Sequence, residues 1–316
     1  MLTAPQLNGC IVAVITPMQE KARSIVIDYD KFLAHIKQLI DAGVSGLLLA
    51  GTTGQSATLT HDEHVTIVTM GATIAREYAQ EKGRRVLIVA SAGSNATHEA
   101  VSLSQRIAES VEVDALLHVT GYYNNPPQEG LIRHFETIAD LTERLGVPII
   151  LYNIPSRTGS CIEPATVIRL ARHPAIIGIK EASGRLDAVE RIIAETDPEH
   201  FTVVSGEDHL VFEIMKRGGR GVISATANRW PLEFQRLCDL CAAGQWERAR
   251  RLQDALLPCV KAVFAVKNPI PLAAMFSTAV RLPLVSVEQL EEPRRSEVRA
   301  AIQTALSITS FPEMTD

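Results

Sequence analysis

The chain runs to 316 residues, 46% apolar and 21% charged, the balance of a globular protein that can bury a large core without disulfide staples. Its net charge of −5, with no block of Lys or Arg, argues against nucleic acid or an anionic membrane surface as a partner. No stretch approaches the roughly 18 consecutive apolar residues of a membrane span, and Met1 to Cys10 lacks the regions of a secretory signal, so a cytoplasmic location is expected.

The first apolar run covers residues 10–15 and ends in Thr16-Pro17-Met18. A doubly wound sheet would carry a Gly-rich nucleotide turn here, and this is not one. The second run, 46–50, leads into Gly51-Thr52-Thr53-Gly54-Gln55-Ser56. Its glycines let backbone approach a ligand, and its hydroxyls and N–H groups can cradle a carboxylate. An unliganded turn would look similar, and no Gly-Lys-Ser/Thr follows to make it a phosphate loop. Thr60 then caps a helix, with Glu63 completing a capping box. His61 and His64 share that helix, but no third ligand is evident and no metal is expected.

The third run is 86–90, and Asn95 or Thr97 can cap the helix after it. The fourth, 113–119, leads into Gly121-Tyr122-Tyr123-Asn124-Asn125-Pro126-Pro127; paired tyrosines stand out in a chain with five, as a subunit contact or a functional pair. The fifth, 148–152, ends in Tyr152 and continues into a loop, bounded by Pro155 and Gly159, that carries Arg157. Pro164 suits the first turn of the next helix. The sixth, 175–179, closes in Lys180-Glu181; the seventh is 201–204, with Asp208 placed to cap a helix over 209–216; the eighth is 221–224. Beyond it, 231–243, 246–266, 269–280 and 287–307 read as helices with no flexible linker before them.

The eight runs are continuously apolar, as parallel strands buried on both faces are, and recur at the spacing of βα units. They predict an α/β fold, a (β/α)8 TIM barrel over 8–230, with 231–316 as a helical extension packed on it, one structural unit. The five cysteines (Cys10, Cys161, Cys238, Cys241, Cys259) are odd in number and scattered, which argues against a disulfide framework. The C-x-x-C of Cys238 and Cys241 lies in a helical stretch without a second pair, and reads as ordinary helix residues.

Active sites of such barrels lie at the C-terminal strand ends. Lys180 closes an apolar run there. Burial disfavours an ammonium and so favours the nucleophilic amine, the chemistry of imine formation with a carbonyl, although a lysine reaching for water would occupy the same position. Tyr152, on the neighbouring strand, can pass protons to a carbinolamine, and Arg157 can fork a carboxylate.

The segments GTTGQSATL, GYYNNPPQEGL, LYNIPSRTG, GIKEASG and GVISATAN occur together and in order. In them the chain resembles the dihydrodipicolinate synthase / N-acetylneuraminate lyase family over about residues 8–300. Thr52-Thr53 in place of a Ser-Thr pair, and the arginine at 157, place the resemblance nearer the synthase branch than the sialate lyases. It implies condensation of pyruvate with aspartate semialdehyde to 4-hydroxy-tetrahydrodipicolinate, in lysine and diaminopimelate biosynthesis, without a cofactor. The alternative is another pyruvate-dependent aldolase or dehydratase acting on a sugar acid or hydroxy-keto acid. The resemblance further implies that Lys180 forms the imine, that Tyr152 shuttles protons with Thr52, and that Tyr123 joins this relay from a neighbouring subunit of a homotetramer, a dimer of dimers. Thr53 would hold the pyruvate carboxylate and Arg157 that of the semialdehyde, with Gly206 and the carbonyl of Ile223 lining the site. Ser56, Ala57, His61, His64, Asn95, Glu99 and Tyr122 match an interface site for inhibitory lysine. Two departures stand out: Gln55 where the family usually has Glu, and Gly121 where it has Pro, a change expected to loosen the loop that delivers Tyr123. Lys267-Asn268-Pro269-Ile270-Pro271 matches a family segment to which no chemistry attaches.

Overall fold

The apolar runs become strands because each can bury both faces, one toward a barrel interior and one toward an outer layer of helices. In the computed structural model, which describes residues 2–22 and 24–314, they are β1 (Gly9–Ala13), β4 (Gly46–Leu49), β5 (Leu87–Ser91), β6 (Ala115–Val119), β7 (Ile149–Asn153), β8 (Ile176–Glu181), β9 (Thr202–Ser205) and β10 (Gly221–Ser224). All pair in parallel and close in the order β1-β10-β9-β8-β7-β6-β5-β4. The chain is thus a (β/α)8 barrel carrying additional C-terminal helices.

Between β1 and β4 lies an antiparallel hairpin, β2 (Met18–Lys21) and β3 (Ser24–Ile27), which the sequence reading missed. Gln19, Glu20 and Lys21 are exposed, so β2 lacks the apolar pattern that marks a strand.

Side chains of alternate strand residues divide between two cores. Ile11, Leu48, Val89, Leu117, Ile150, Tyr152, Val204 and Ile223 fill the interior, joined by Leu2, Ala4 and Leu7 from the N-terminal segment. That segment is tied to the barrel by the Thr202 hydroxyl, which donates to the carbonyl of Ala4 at 2.9 Å. The outer layer is built by α1 (Tyr29–Asp41), α2 (His61–Glu81), α3 (Thr97–Ser110), α4 (Gln128–Arg144), the short α5 (Pro155–Thr158), α6 (Pro164–Leu170), α7 (Leu186–Glu195) and α8 (Val211–Lys216). Next come α9 (Pro231–Ala242), packed on β1 and α8, α10 (Trp246–Val263), α11 (Ile270–Met275) and α12 (Arg294–Leu306).

Helix starts follow local chemistry in some places and tertiary chemistry in others. Thr60 accepts from the Glu63 N–H at 3.1 Å in the expected capping box, and Pro164 sits in the first turn of α6. Neither Asn95 nor Thr97 caps α3, whose N-cap is Ala96; Asn95 Oδ1 instead accepts from the Tyr122 N–H at 2.8 Å. Asp208 begins a 3-10 turn, not the α-helix, and its Oδ2 accepts from the Thr226 N–H at 2.8 Å. Cys238 and Cys241 are buried free thiols within α9.

One outer-layer contact carries a pH consequence. His118, on β6, is fully buried, with Nε2 3.4 Å from Ser104 Oγ of α3. Burial, then the neighbouring His134, pushes its pKa from 6.5 to about 3. Between those values the unfolded chain holds a proton that the folded chain does not, so stability is complete above about pH 6.5 and declines on acidification, by up to about 1.4 kcal/mol per pH unit for this group. His35, His64 and His134 shift in the same direction, each chiefly through burial. Urea denaturation at pH 7, 6 and 5 is expected to show falling stability, and His118→Gln to flatten that slope. An unchanged slope in the variant would show that His118 is not one of the groups responsible.

Candidate active site

The parallel register of β7 and β8 places Tyr152 directly opposite Lys180. Both are 6% exposed, and Lys180 Nζ stands 4.2 Å from the centre of the Tyr152 ring. Ile179, the preceding residue, packs into the outer layer, so alternation along β8 turns Lys180 toward the barrel interior, where Tyr152 also packs. Gly206 follows β9 next to them. A Cβ there would lie 3.1 Å from Lys180 Cγ and 2.7 Å from the Ala182 Cβ, so the glycine makes room for the lysine stem. Ile223, on β10, is buried and completes this wall.

The turn after β4 supplies the hydroxyls. Thr52 is half-buried and Thr53 buried, with Thr53 Oγ1 accepting from Asn268 Nδ2 at 2.9 Å. Gly54 is needed because a Cβ would come within 3.0 Å of the Val14 carbonyl. Gln55 adopts φ +60° with its side chain buried. Its Oε1 accepts from the Arg281 N–H at 3.0 Å, and its Nε2 donates to the Ala279 carbonyl at 3.4 Å. An amide can make both bonds and a carboxylate only the first, which accounts locally for Gln in place of Glu. Arg157 lies exposed in α5, and its Nη2 donates to the Asn268 carbonyl at 2.9 Å.

Tyr123 is placed differently. It is 96% exposed with φ +69°, and among the described residues no hydrogen bond joins Thr52, Tyr123 and Tyr152. Its loop is nonetheless tied, by the Tyr122 N–H to Asn95 and by the Tyr123 N–H to the Thr158 carbonyl at 3.3 Å. A Cβ at Gly121 would meet Pro126 Cγ at 2.9 Å, so this small residue is packed against its own loop and does not leave a gap.

Three acidic groups lie at the ends of β8 and β9, and two of them, Glu207 and Asp208, interact electrostatically with Lys180. Glu181 Oε1 accepts from the Ser183 N–H at 2.6 Å and Oε2 from Asn153 Nδ2 at 3.0 Å, and burial raises its carboxyl pKa. Asp208, fully buried, is raised for the same reason. Glu207, which the sequence reading passed over, is pushed up to about 7 by burial and then by Asp208, while Lys180 and Arg157 pull it down. Its backbone is clamped by Ser205, whose Oγ accepts from the Glu207 N–H and donates to its carbonyl, and His209 Nδ1 lies 3.5 Å from its carboxylate. A carboxylate directly after a glycine at a strand end was the available signal.

The seven other expected residues fall on the first turns of α2 and α3, the turn before α2, the loop before α3 and the loop after β6. His64 is buried, with Nε2 2.7 Å from the Ser91 carbonyl. Glu99 Oε2 accepts from Ser94 Oγ at 2.6 Å. Ser56 is half-buried, and Ala57, His61 and Tyr122 are exposed.

Comparison with known proteins gives this geometry its context. The family model for the dihydrodipicolinate synthetase family matches residues 6–305. The 4-hydroxy-tetrahydrodipicolinate synthase of Methanopyrus kandleri is 43% identical over 302 residues, covering 93% of this chain and 96% of that one. Among solved structures, the chloride-inhibited dihydrodipicolinate synthase of Acinetobacter baumannii complexed with pyruvate has a TM-score of 0.84 at 32% identity, covering 95% of this chain and 99% of that one. The dihydrodipicolinate synthase of Cyanidioschyzon merolae with lysine bound has a TM-score of 0.84 at 32% identity, covering 95% and 98%. With the match running across nearly its whole length, the chain belongs to the dihydrodipicolinate synthetase family.

Proposed function

We propose that the protein is a class I lyase that joins pyruvate to aspartate semialdehyde, giving 4-hydroxy-tetrahydrodipicolinate through an imine on Lys180. The observation that carries this reading is the buried amine of Lys180 held against the Tyr152 ring; Thr53 and Arg157, joined through Asn268, lie on other loops that follow barrel strands. The amine attacks the pyruvate carbonyl and water leaves; loss of a C3 proton gives the enamine, which attacks the aldehyde, and the semialdehyde's own amine then attacks the imine carbon, closing the ring and releasing Lys180. Tyr152 moves protons on and off the reacting oxygen and carbon, with Thr52 and Tyr123 as relay. Thr53 holds the pyruvate carboxylate, Arg157 that of the semialdehyde, and Gly206 and the Ile223 carbonyl line the space beside Lys180.

Because Tyr123 is exposed on a loop held in a fixed shape, we assign it to the site of a neighbouring subunit, in a homotetramer built as a dimer of dimers. We assign Ser56, Ala57, His61, His64, Asn95, Glu99 and Tyr122 to a lysine site near that contact, supported by the relative with lysine bound. Glu99 suits the ligand ammonium. No helix among the described residues is long and apolar enough to cross a membrane, and a cytoplasmic location suits a biosynthetic role.

Three experiments follow. Pyruvate with borohydride is expected to leave one reduced pyruvyl group on Lys180, lost in Lys180→Ala, while Tyr152→Phe lowers kcat by about 10²–10³. Consumption of aspartate semialdehyde by the wild type completes the test. An adduct without that consumption would redirect the assignment to a sibling aldolase, found by a panel of keto-acid aldols in the cleavage direction. The second concerns pH. Glu207 ionises as pH rises through about 7, adding negative charge beside Lys180 and Arg157, so KM for the pyruvate anion is expected to climb several-fold above that pH. Glu207→Gln removes the climb; a variant with the wild-type profile would exclude Glu207 as its source. In the third, lysine inhibits at millimolar concentration and Glu99→Ala or His64→Ala weakens the inhibition. Activity indifferent to lysine would dispose of the regulatory site.

A further inference from the structure

The segment between α10 and α11 carries Lys267-Asn268-Pro269-Ile270-Pro271, which the roles assigned so far leave without a task. Asn268 is 4% exposed and makes two contacts with residues distant in sequence. Its side-chain Nδ2 donates to Thr53 Oγ1 at 2.9 Å, across 215 positions, and its main-chain carbonyl accepts from Arg157 Nη2 at 2.9 Å, across 111. One residue of the C-terminal extension therefore touches both groups to which the proposed function gives the two substrate carboxylates.

From this geometry we infer that Asn268 is a positioning residue: its amide fixes the Thr53 hydroxyl as a donor toward the pyruvate carboxylate, and its carbonyl fixes the Arg157 guanidinium at the entrance.

The argument turns on hydrogen-bond polarity. An amide nitrogen can only donate. By donating to Thr53 Oγ1 it occupies a lone pair of that oxygen and turns the hydroxyl hydrogen away from itself, free for an anion on the other side. A hydroxyl that already accepts one hydrogen bond is also polarised into a better donor. Thr53 is buried, so water does not compete to reorient it. A serine or threonine without this partner could point its hydrogen into the protein as readily as at the ligand. For Arg157 the contact differs in kind. The guanidinium is otherwise exposed, and a single carbonyl fixes one arm while leaving its other donors available for a carboxylate.

The two halves can be separated because one contact is made by the side chain and the other by the main chain. Asn268→Asp keeps the shape but replaces the donor with an oxygen that accepts from Thr53 and consumes its hydrogen, while the carbonyl facing Arg157 stays. The variant is expected to raise KM for pyruvate by about tenfold or more, with a smaller change in kcat and little change in KM for the aldehyde. Asn268→Ala should raise it less, since the hydroxyl is freed and not reversed. Thr53→Val should match the Asp variant, and combining the two should add little, because both remove the same donor.

This inference rests on the imine reading, and the same assay separates the two. Borohydride trapping against pyruvate concentration gives the pyruvate dependence directly and needs no second substrate. If the wild type traps nothing on Lys180, the underlying function fails. If it traps pyruvate and Asn268→Asp does so at the same concentrations, the function stands and the role of Asn268 is overturned. A variant that traps fully at saturating pyruvate, with its midpoint displaced to higher concentration, is folded and supports the inference. If Asn268→Asp does not fold, Thr53→Val and Asn268→Ala carry the test: equal midpoints in both and in the wild type would overturn it.

Discussion

An amine with 6% of its residue surface exposed is an awkward object. As an ammonium it loses hydration that the interior must replace, and as an amine it is reactive. Much of this barrel mouth can be understood as the means of holding Lys180 in place. The parallel register of β7 and β8 sets Tyr152 beside it, so the ring shields the amine from water and offers its face to the charge when there is one. Gly206 leaves the volume its stem occupies, and the Gly206 N–H, donating to the Glu181 carbonyl at 2.7 Å, keeps the end of β9 close to β8. Slipping β8 by one residue would turn Lys180 from the interior to the helix layer, and slipping β7 would do the same to Tyr152, since side chains alternate between the two.

A barrel alone would not set the rest of the site. The turn after β4 and the short α5 are loops, and the C-terminal extension holds both. Asn268 reaches Thr53 and Arg157, while Gln55 is bound at both ends of its amide to Ala279 and Arg281. Arg281 in turn forks Glu63 of α2 at 2.7 and 2.8 Å and donates from Nε to the Ile25 carbonyl of the hairpin. The Thr278 hydroxyl donates to the Met18 carbonyl on the other hairpin strand at 2.8 Å. Hairpin, first-turn acid and substrate turn are therefore joined through one stretch of chain, and each contact is made by a polar group with few alternatives once water is excluded. The extension thus braces the barrel mouth, holding the turn after β4 and α5 from positions far away in sequence.

This division between barrel and brace also decides what could be read from the sequence. The eight strands were legible to within a residue or two because burial on both faces leaves an apolar run that little else produces. Lys180 was visible as a cation ending such a run, and Thr60 because its cap is closed by Glu63, three residues away. Asn95 and Asp208 misled for the opposite reason. Each carries a side chain suited to a local cap, yet each binds a backbone N–H from another loop, Tyr122 and Thr226 respectively. The hairpin escaped because its first strand is exposed. Asn268 had no local signal, because its meaning lies in partners 215 and 111 positions away.

Charge gives the last constraint. Both proposed substrates are carboxylates, yet Glu207 and Asp208 lie close enough to Lys180 to interact with it electrostatically. Fully ionised, they would repel the anions. Burial opposes that by raising both carboxyls, Glu207 to about 7. Near neutral pH Glu207 therefore carries less than its full negative charge. Lys180 and Arg157 oppose the charge that remains on Glu207, although the chain as a whole carries −5. Desolvation of Glu207 thus lessens the negative charge that would oppose the binding of carboxylates at this mouth.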